Sequence, residues 1–235
     1  MRNTVTIDGV SSADVGLHFD KLPYIPAAKR RSNVYQIPGA GEDLTIHSDD
    51  YDDIPLTLTA YMRPGTDHQA AYNWAHGKRI VLSTQPTIYG IIKAVGEIAP
   101  SRVGWDAHKF DIPFVLSPFK YRMANEPVLL TSAGQVKTDG SVYSLPVYHL
   151  AGCSGDVALT VNGISLTITD APQDVYIDTV SQTVYTITDG AKVNIMQTTA
   201  GRFWAMVLVP GTPENYVSWE GTVGSVEITK NERWV

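Results

Sequence analysis

Five potential ligands fall within seven positions: His47, Asp49, Asp50, Asp52 and Asp53. Carboxylates at that density suit a hard cation such as Ca²⁺, which binds through several oxygens. The spacing does not complete a calcium loop, because no glycine marks the bend and no distal glutamate closes it. A solvated turn between strands is the better reading, and no metal is expected. Gly39-Ala40-Gly41 has the glycines of a phosphate loop, but strands flank it and no helix follows, so it reads as a hairpin turn. His18, His47, His68, His76, His108 and His149 form neither H-E-x-x-H nor any regular metal spacing. No serine occupies a G-x-S-x-G elbow. Cys153, the sole cysteine, allows no intramolecular disulfide and reads as a small buried side chain. Asp174/Asp178 and Glu214/Glu220 could pair for glycoside cleavage. Scattered carboxylates are common on strand-rich proteins, however, and neither an enzyme nor a cofactor emerges.

Two further groups suit binding rather than catalysis. Lys29, Arg30 and Arg31 lie in the proline-containing loop KLPYIPAAKRRSN, and such a run can meet phosphate or an acidic partner. Trp204, Tyr216 and Trp219 could stack on a saccharide, although sandwich core and edge packing is the favoured reading of these aromatics.

The elements that carry these residues are strands. In residues 110–121, FDIPFVLSPFKY, Phe110, Ile112, Phe114 and Leu116 share one face of an extended segment. Pro118 is expected to stop that strand, making Ser117 and Pro118 the hinge between two domains, 1–122 and 123–235. Before it, alternating runs such as IPLTLTAYM surround one helix, DHQAAYNWAHGK. In that helix Asp67 is the N-cap, Ala71, Trp74 and Ala75 share a face, and Gly77 follows the end. AVGEIAPSRVGWD, containing Arg102, reads as a long hairpin connection. After residue 118, short strands are expected at 142–150, 157–161, 165–168, 175–177, 183–187, 203–209, 215–219 and 223–228. Turn pairs separate them, of which Asn162-Gly163 is the strongest. The fold class is therefore mainly β: an antiparallel sandwich or barrel with one α-helix, then a β-sandwich.

Charge divides at the same place. Residues 1–124 hold 13 Lys+Arg and 13 Asp+Glu, while residues 125–235 hold 5 and 11, or 5 − 11 = −6. An acidic second half argues against duplex nucleic acid as its ligand. The N-terminus lacks the apolar core of a signal peptide and no apolar run reaches membrane-spanning length, so synthesis in the cytosol and a soluble product without membrane partners are expected.

Taken in order, VYQIPGAGEDLTI, IPLTLTAYM, DHQAAYNWAHG and FDIPFVLSPFKYRM, then SLPVYHLAGCSGDVALTVNGISLTI, VYIDTVSQTVY, FWAMVLVPGTPENYVSWEG and VEITKNERWV, resemble the distal tail proteins (Dit) of long non-contractile-tailed phages along nearly the whole chain. The glycine turn departs from the family's usual pattern of a basic residue with Gly after Asp. The resemblance implies a ring-forming belt domain followed by a galectin-like sandwich. It implies a homo-hexamer at the distal tail tip of the virion, joined to the major tail protein on one face and to the tail-associated hub protein on the other. The second domains would offer docking surface to receptor-binding or other baseplate proteins, while the genome passes through the lumen without sequence-specific binding. Lys29, Arg30, Arg31 and Arg102 would then contact neighbouring subunits or the lumen. The alternative is a lectin that binds host-wall glycans through Trp204, Tyr216 or Trp219.

Overall fold

A computed structural model describes residues 3–39, 41–63, 65–103, 107–211 and 214–235. The chain forms two compact units, Met1–Met123 with Val235, and Ala124–Trp234.

The first unit contains β1 (Val5–Ile7), β2 (Val10–Ser11), β3 (Leu17–His18), β4 (Arg30–Tyr35), β5 (Leu44–Tyr51), β6 (Ile54–Met62), the helix α1 (His68–Ala75), β7 (Arg79–Leu82), β8 (Ile88–Val95), β9 (Pro100–Val103) and β10 (Ala107–Arg122). An antiparallel sheet runs β2-β1-β7-β8-β10-β6-β3, with β9 also pairing β10. β4 and β5 form a separate two-stranded ribbon. As the alternation predicts, Phe110, Ile112, Phe114 and Leu116 are buried with Leu56, Leu58 and Ala60 of β6 in one core.

Asp67 caps α1 by accepting from Gln69 N–H at 2.8 Å, and Ala71, Trp74 and Ala75 are its buried face. Gly77 follows the C-cap His76, as expected, but for another reason than a left-handed turn. Its φ is not positive; instead a Cβ there would collide with Ile7 and Asp8. Asp8 in turn accepts from Lys78 N–H and Arg79 N–H at 2.7 and 2.9 Å, tying the helix exit to β1.

The expectation for Pro118 is overturned. β10 does not stop there but continues to Arg122. Against β8, Leu116 pairs Ile92 and the next pair is Lys120 with Gly90. The intervening Ser117, Pro118 and Phe119 are a bulge, which accommodates a residue without an N–H inside a strand. Ser117 and Pro118 therefore lie within the first unit and are not the hinge; the chain leaves that unit after Met123. The bulge also turns Phe119 edge-on to Tyr51, with ring centroids 5.7 Å apart. Two other expectations fail nearby. The stretch expected to be a polar turn, residues 47–53, is β5 as far as Tyr51, and the loop expected over residues 21–33 becomes strand at Arg30.

Lys120, just past the bulge, is 8% exposed, and its Nζ donates to the Pro26 carbonyl at 3.3 Å. Burial lowers its pKa from the ordinary 10.5. A folded pKa below the unfolded one means that stability is greatest above pH 10.5 and is lost as pH falls through the folded value. At neutral pH the charged ammonium is thus a net cost. Lys120→Met is expected to stabilise the first unit by about 1 kcal/mol at pH 7, as replacing a buried charge with an apolar side chain of similar size often does. In denaturant melts the gap between the two proteins should shrink as pH rises past 10.

The second unit contains β11 (Val128–Leu130), β12 (Gly134–Val136), β13 (Val147–Ala151), β14 (Ser154–Val161), β15 (Ile164–Ile168), β16 (Asp174–Asp178), β17 (Thr183–Thr188), β18 (Ala191–Asn194), β19 (Thr199–Gly201), β20 (Asn215–Thr222) and β21 (Ser225–Thr229). They form two antiparallel sheets, β11-β21-β13-β16-β17-β18 and β12-β20-β14-β15-β19. Their inner faces share one core containing Tyr148, Leu159, Leu166, Ile177 and Val226. This is a β-sandwich. Asn162-Gly163 turns β14 into β15 with φ values of 51° and 79°, the left-handed pair that a tight hairpin needs. The strand expected over residues 203–209 is instead a 3-10 turn, Phe203–Ala205, followed by a single bridge from Leu208 to Ser144. Asn215 competes with a regular ladder there. Almost fully buried, it accepts from Val209 N–H at 2.7 Å and donates to the Val209 and Val136 carbonyls at 3.0 and 3.1 Å.

Asn215→Ala removes the partner of the buried Val136 carbonyl and of the part-buried Val209 N–H and carbonyl, and a buried polar group left without a partner costs about 1–3 kcal/mol. Calorimetry is expected to show a loss of about 3 kcal/mol confined to the second unit's transition, with partial rehydration offsetting the rest.

Candidate functional site

The chemistry-bearing residues are first accounted for within the chain. Two carboxylates of the acidic stretch expected as a turn are paired with cations: Arg31 Nε donates to Asp52 at 2.8 Å, and Lys93 Nζ donates to Asp53 at 2.6 Å. The hydrogen bond from Arg31 to Asp52, then the carboxylate's charge, raises the guanidinium's pKa. Among the described residues no cluster of three His, Cys, Asp or Glu side chains is arranged to hold a metal. Ala40 and the side chain of Asp49 lie outside the described residues. Asp178 accepts from Val180 N–H and Ser181 N–H in a turn, whereas Asp174 sits 3.1 Å from His149 Nε2. Cys153 is buried, and burial, then the nearby Asp174 charge, pushes its thiol up to about 11.

The outer face of the six-stranded sheet carries an aromatic row that the sequence reading missed. His149 stacks on Tyr176 at 4.2 Å and 3°, and Tyr176 stacks on Tyr185 at 5.2 Å and 8°. Lys192 Nζ closes the far face of Tyr185 at 4.2 Å from the ring centroid. Glu227 stands on the other side of His149, 3.4 Å from Nδ1. The residues are cross-strand partners on neighbouring strands, a signal visible only once strand order is known. Ring faces in this row meet one another, so the row braces the sheet rather than offering a stacking platform.

The three aromatics expected to act together are separated. Tyr216 and Trp219 lie three apart on β20, so they point to opposite sides of the sheet. Tyr216 is half-exposed, whereas Trp219 packs against the core. Trp204 belongs to the 3-10 turn and meets Phe203 edge-on at 5.4 Å.

The surface most unlike an ordinary exterior is the β4–β5 ribbon. Every residue of β4 is exposed. Tyr35 pairs Leu44 and Asn33 pairs Ile46, so Tyr35, Leu44 and Ile46 share one face. Each is close to half-exposed, at 51%, 48% and 51%, while Val34 on the opposite face reaches 58%. A two-stranded ribbon alone is marginal in water, and this one presents apolar side chains on both faces. At its base, Arg30 Nε donates to the Ser48 carbonyl at 2.8 Å, and the Lys29 carbonyl accepts from Asp52 N–H at 2.8 Å. Arg30 and Arg31 thus anchor the ribbon they begin. Arg102 lies on β9, whose four residues are all exposed. Elsewhere in this unit, β6 pairs β3 only at Met62 and Tyr61. Among the described residues no strand pairs the rest of that edge, residues 54–60, where Pro55 removes one donor.

No protein-family model and no curated protein matches the sequence. Among solved structures, the crystal structure of the SPP1 Dit protein (gp 19.1), described as a paradigm of the hub adsorption apparatus in phages that infect Gram-positive hosts, matches 100% of this chain and 100% of its own, with a TM-score of 0.74 and 15% identity. The protein is thus a mainly β, two-unit chain with a Dit-like fold along its full length. Among the described residues no helix is long and apolar enough to cross a membrane.

A buried thiol with a raised pKa is a poor nucleophile. With native protein at pH 8, iodoacetamide is expected to leave Cys153 unmodified, since only about one thiol in a thousand is ionised at that pH. Mass spectrometry after addition of guanidinium chloride should show a single alkylation.

Proposed function

We propose that this protein is a structural hub of a phage tail tip. In this reading six copies close into a ring through their first units, one face meets the last ring of the major tail protein, and the other meets the tail-associated hub protein. The ring size and the partners follow from the Dit resemblance. The second units carry docking surface for receptor-binding or other baseplate proteins, and the protein resides in the virion.

The observation that carries the reading is the β4–β5 ribbon. It exposes Val34, Tyr35, Leu44 and Ile46 on two strands that, among the described residues, pair only with each other. A second copy supplies that cover. An element that lies on the next subunit rather than on its own makes a head-to-tail contact, which closes into a ring when the rotation is right. The open edge of β6 gives a further surface for strand pairing between copies. Lys29, Arg30, Arg31 and Arg102 lie in the same unit and would contact a neighbour or the lumen.

The test is the mass of the full chain in solution. Wild type is expected to scatter as six copies and to show rings by negative-stain microscopy. The double variant Leu44→Asp/Ile46→Asp is expected to scatter as a monomer with an unchanged circular dichroism spectrum, because both side chains face solvent in the single chain. A monomeric wild type, or a double variant that still forms rings, would refute the ribbon's role.

A further inference from the structure

We infer that the second unit binds a neutral saccharide in a groove between Tyr143 and Trp204. The groove is distinct from the braced aromatic row, and three separate stretches build it. Tyr143 precedes the bridge at Ser144, Val180 and Gln182 lie in the turn from β16 to β17, and Trp204 lies in the 3-10 turn. The groove is open to solvent, and its volume of about 470 Å³ lies within the range of small-ligand sites.

Three features set the ligand class. First, the lining combines aromatic and aliphatic side chains with the polar Thr179 and Gln182, and Tyr143, Val180 and Trp204 are exposed by 44%, 59% and 48%. Large apolar side chains gathered in a concavity mark a binding surface. Each ring has a neighbour within the unit: the Arg233 guanidinium lies 4.6 Å from the centroid of Tyr143, and Phe203 meets Trp204 edge-on. These contacts fix the two rings that line the groove. Second, no lining residue is acidic or basic, in a unit whose net charge is −6. The groove therefore suits an uncharged ligand. Third, among the described residues no intrachain hydrogen bond engages the Tyr143 hydroxyl, Trp204 Nε1–H or the Gln182 carboxamide. Together they offer donors and acceptors. Sugar hydroxyls both donate and accept, and so satisfy all three groups. A polyproline helix has only carbonyl acceptors to offer and would leave the Gln182 oxygen unpaired. Gln182 itself is held at φ 53°, a left-handed conformation unusual for a side chain of its size.

The test is isothermal titration calorimetry of the full chain with lactose, maltotriose and triacetylchitotriose in separate runs. At least one is expected to bind saturably. Trp204→Ala and Tyr143→Ala are each expected to weaken that binding by about tenfold or more, the scale set by losing an aromatic contact and its hydrogen bond. Tyr216→Ala should leave it unchanged. All three side chains are exposed, and circular dichroism checks that each variant is folded. Absence of binding by all three sugars overturns the inference, as does binding that survives in both the Trp204 and Tyr143 variants. Trp204-dependent binding of a decaproline peptide without sugar binding would also overturn it. Trp204→Ala should not change the scattering mass, so a failure here is separable from a failure of the ring.

Discussion

The first unit depends on one strand being buried along one face and paired along both edges. β10 offers Phe110, Ile112, Phe114 and Leu116 to the core, and residues 108–116 pair with β6 in unbroken register. Burying four large side chains from a single strand is worth several kcal/mol, at about 1.5–3 kcal/mol each. That burial fixes the register, because a slip of one residue would send all four to solvent. β6, β8 and β9 all take their positions from this strand.

The bulge at Ser117, Pro118 and Phe119 follows from the same constraint. Both flanks of the strand are held, by Leu116 against Ile92 and by Lys120 against Gly90, so the chain absorbs the proline locally instead of ending. The lost ladder position is the cost, and the buried ammonium of Lys120 beside it is another. In the second unit the corresponding task falls to Asn215, whose amide replaces ladder bonds where the chain leaves the sheet.

With the interior closed in this way, what remains for association is on the outside. The ribbon has apolar side chains and no core of its own. The aromatic row of the second unit is the opposite case, since its rings cover one another. Exposure alone does not separate the two; the direction in which the ring faces and apolar side chains point does. The same distinction divides Trp204, which borders a groove, from Trp219, which fills the core three residues beyond the half-exposed Tyr216.

Period-two alternation was enough to show from sequence that residues 110–116 are a half-buried strand. Asp67 and the spacing of Ala71, Trp74 and Ala75 were enough for the helix, and Asn162-Gly163 for its hairpin. These are local signals, in which a side chain and its immediate neighbours determine the backbone. The bulge at Pro118, the strand character of residues 47–51 and the loss of the strand at residues 203–205 were not legible, because each depends on what lies across the sheet. A proline is tolerated when both flanks are pinned, an acidic run is tolerated as strand when Arg31 and Lys93 neutralise its end, and a β-rich run is lost when residues 202–206 bond within a 3-10 turn and Asn215 takes the backbone of Val209. Composition and alternation thus determined two β units and the buried face of residues 110–116. Only the tertiary structure decided which exposed residues meet, because strand order brings His149, Tyr176 and Tyr185 together and strand parity parts Tyr216 from Trp219.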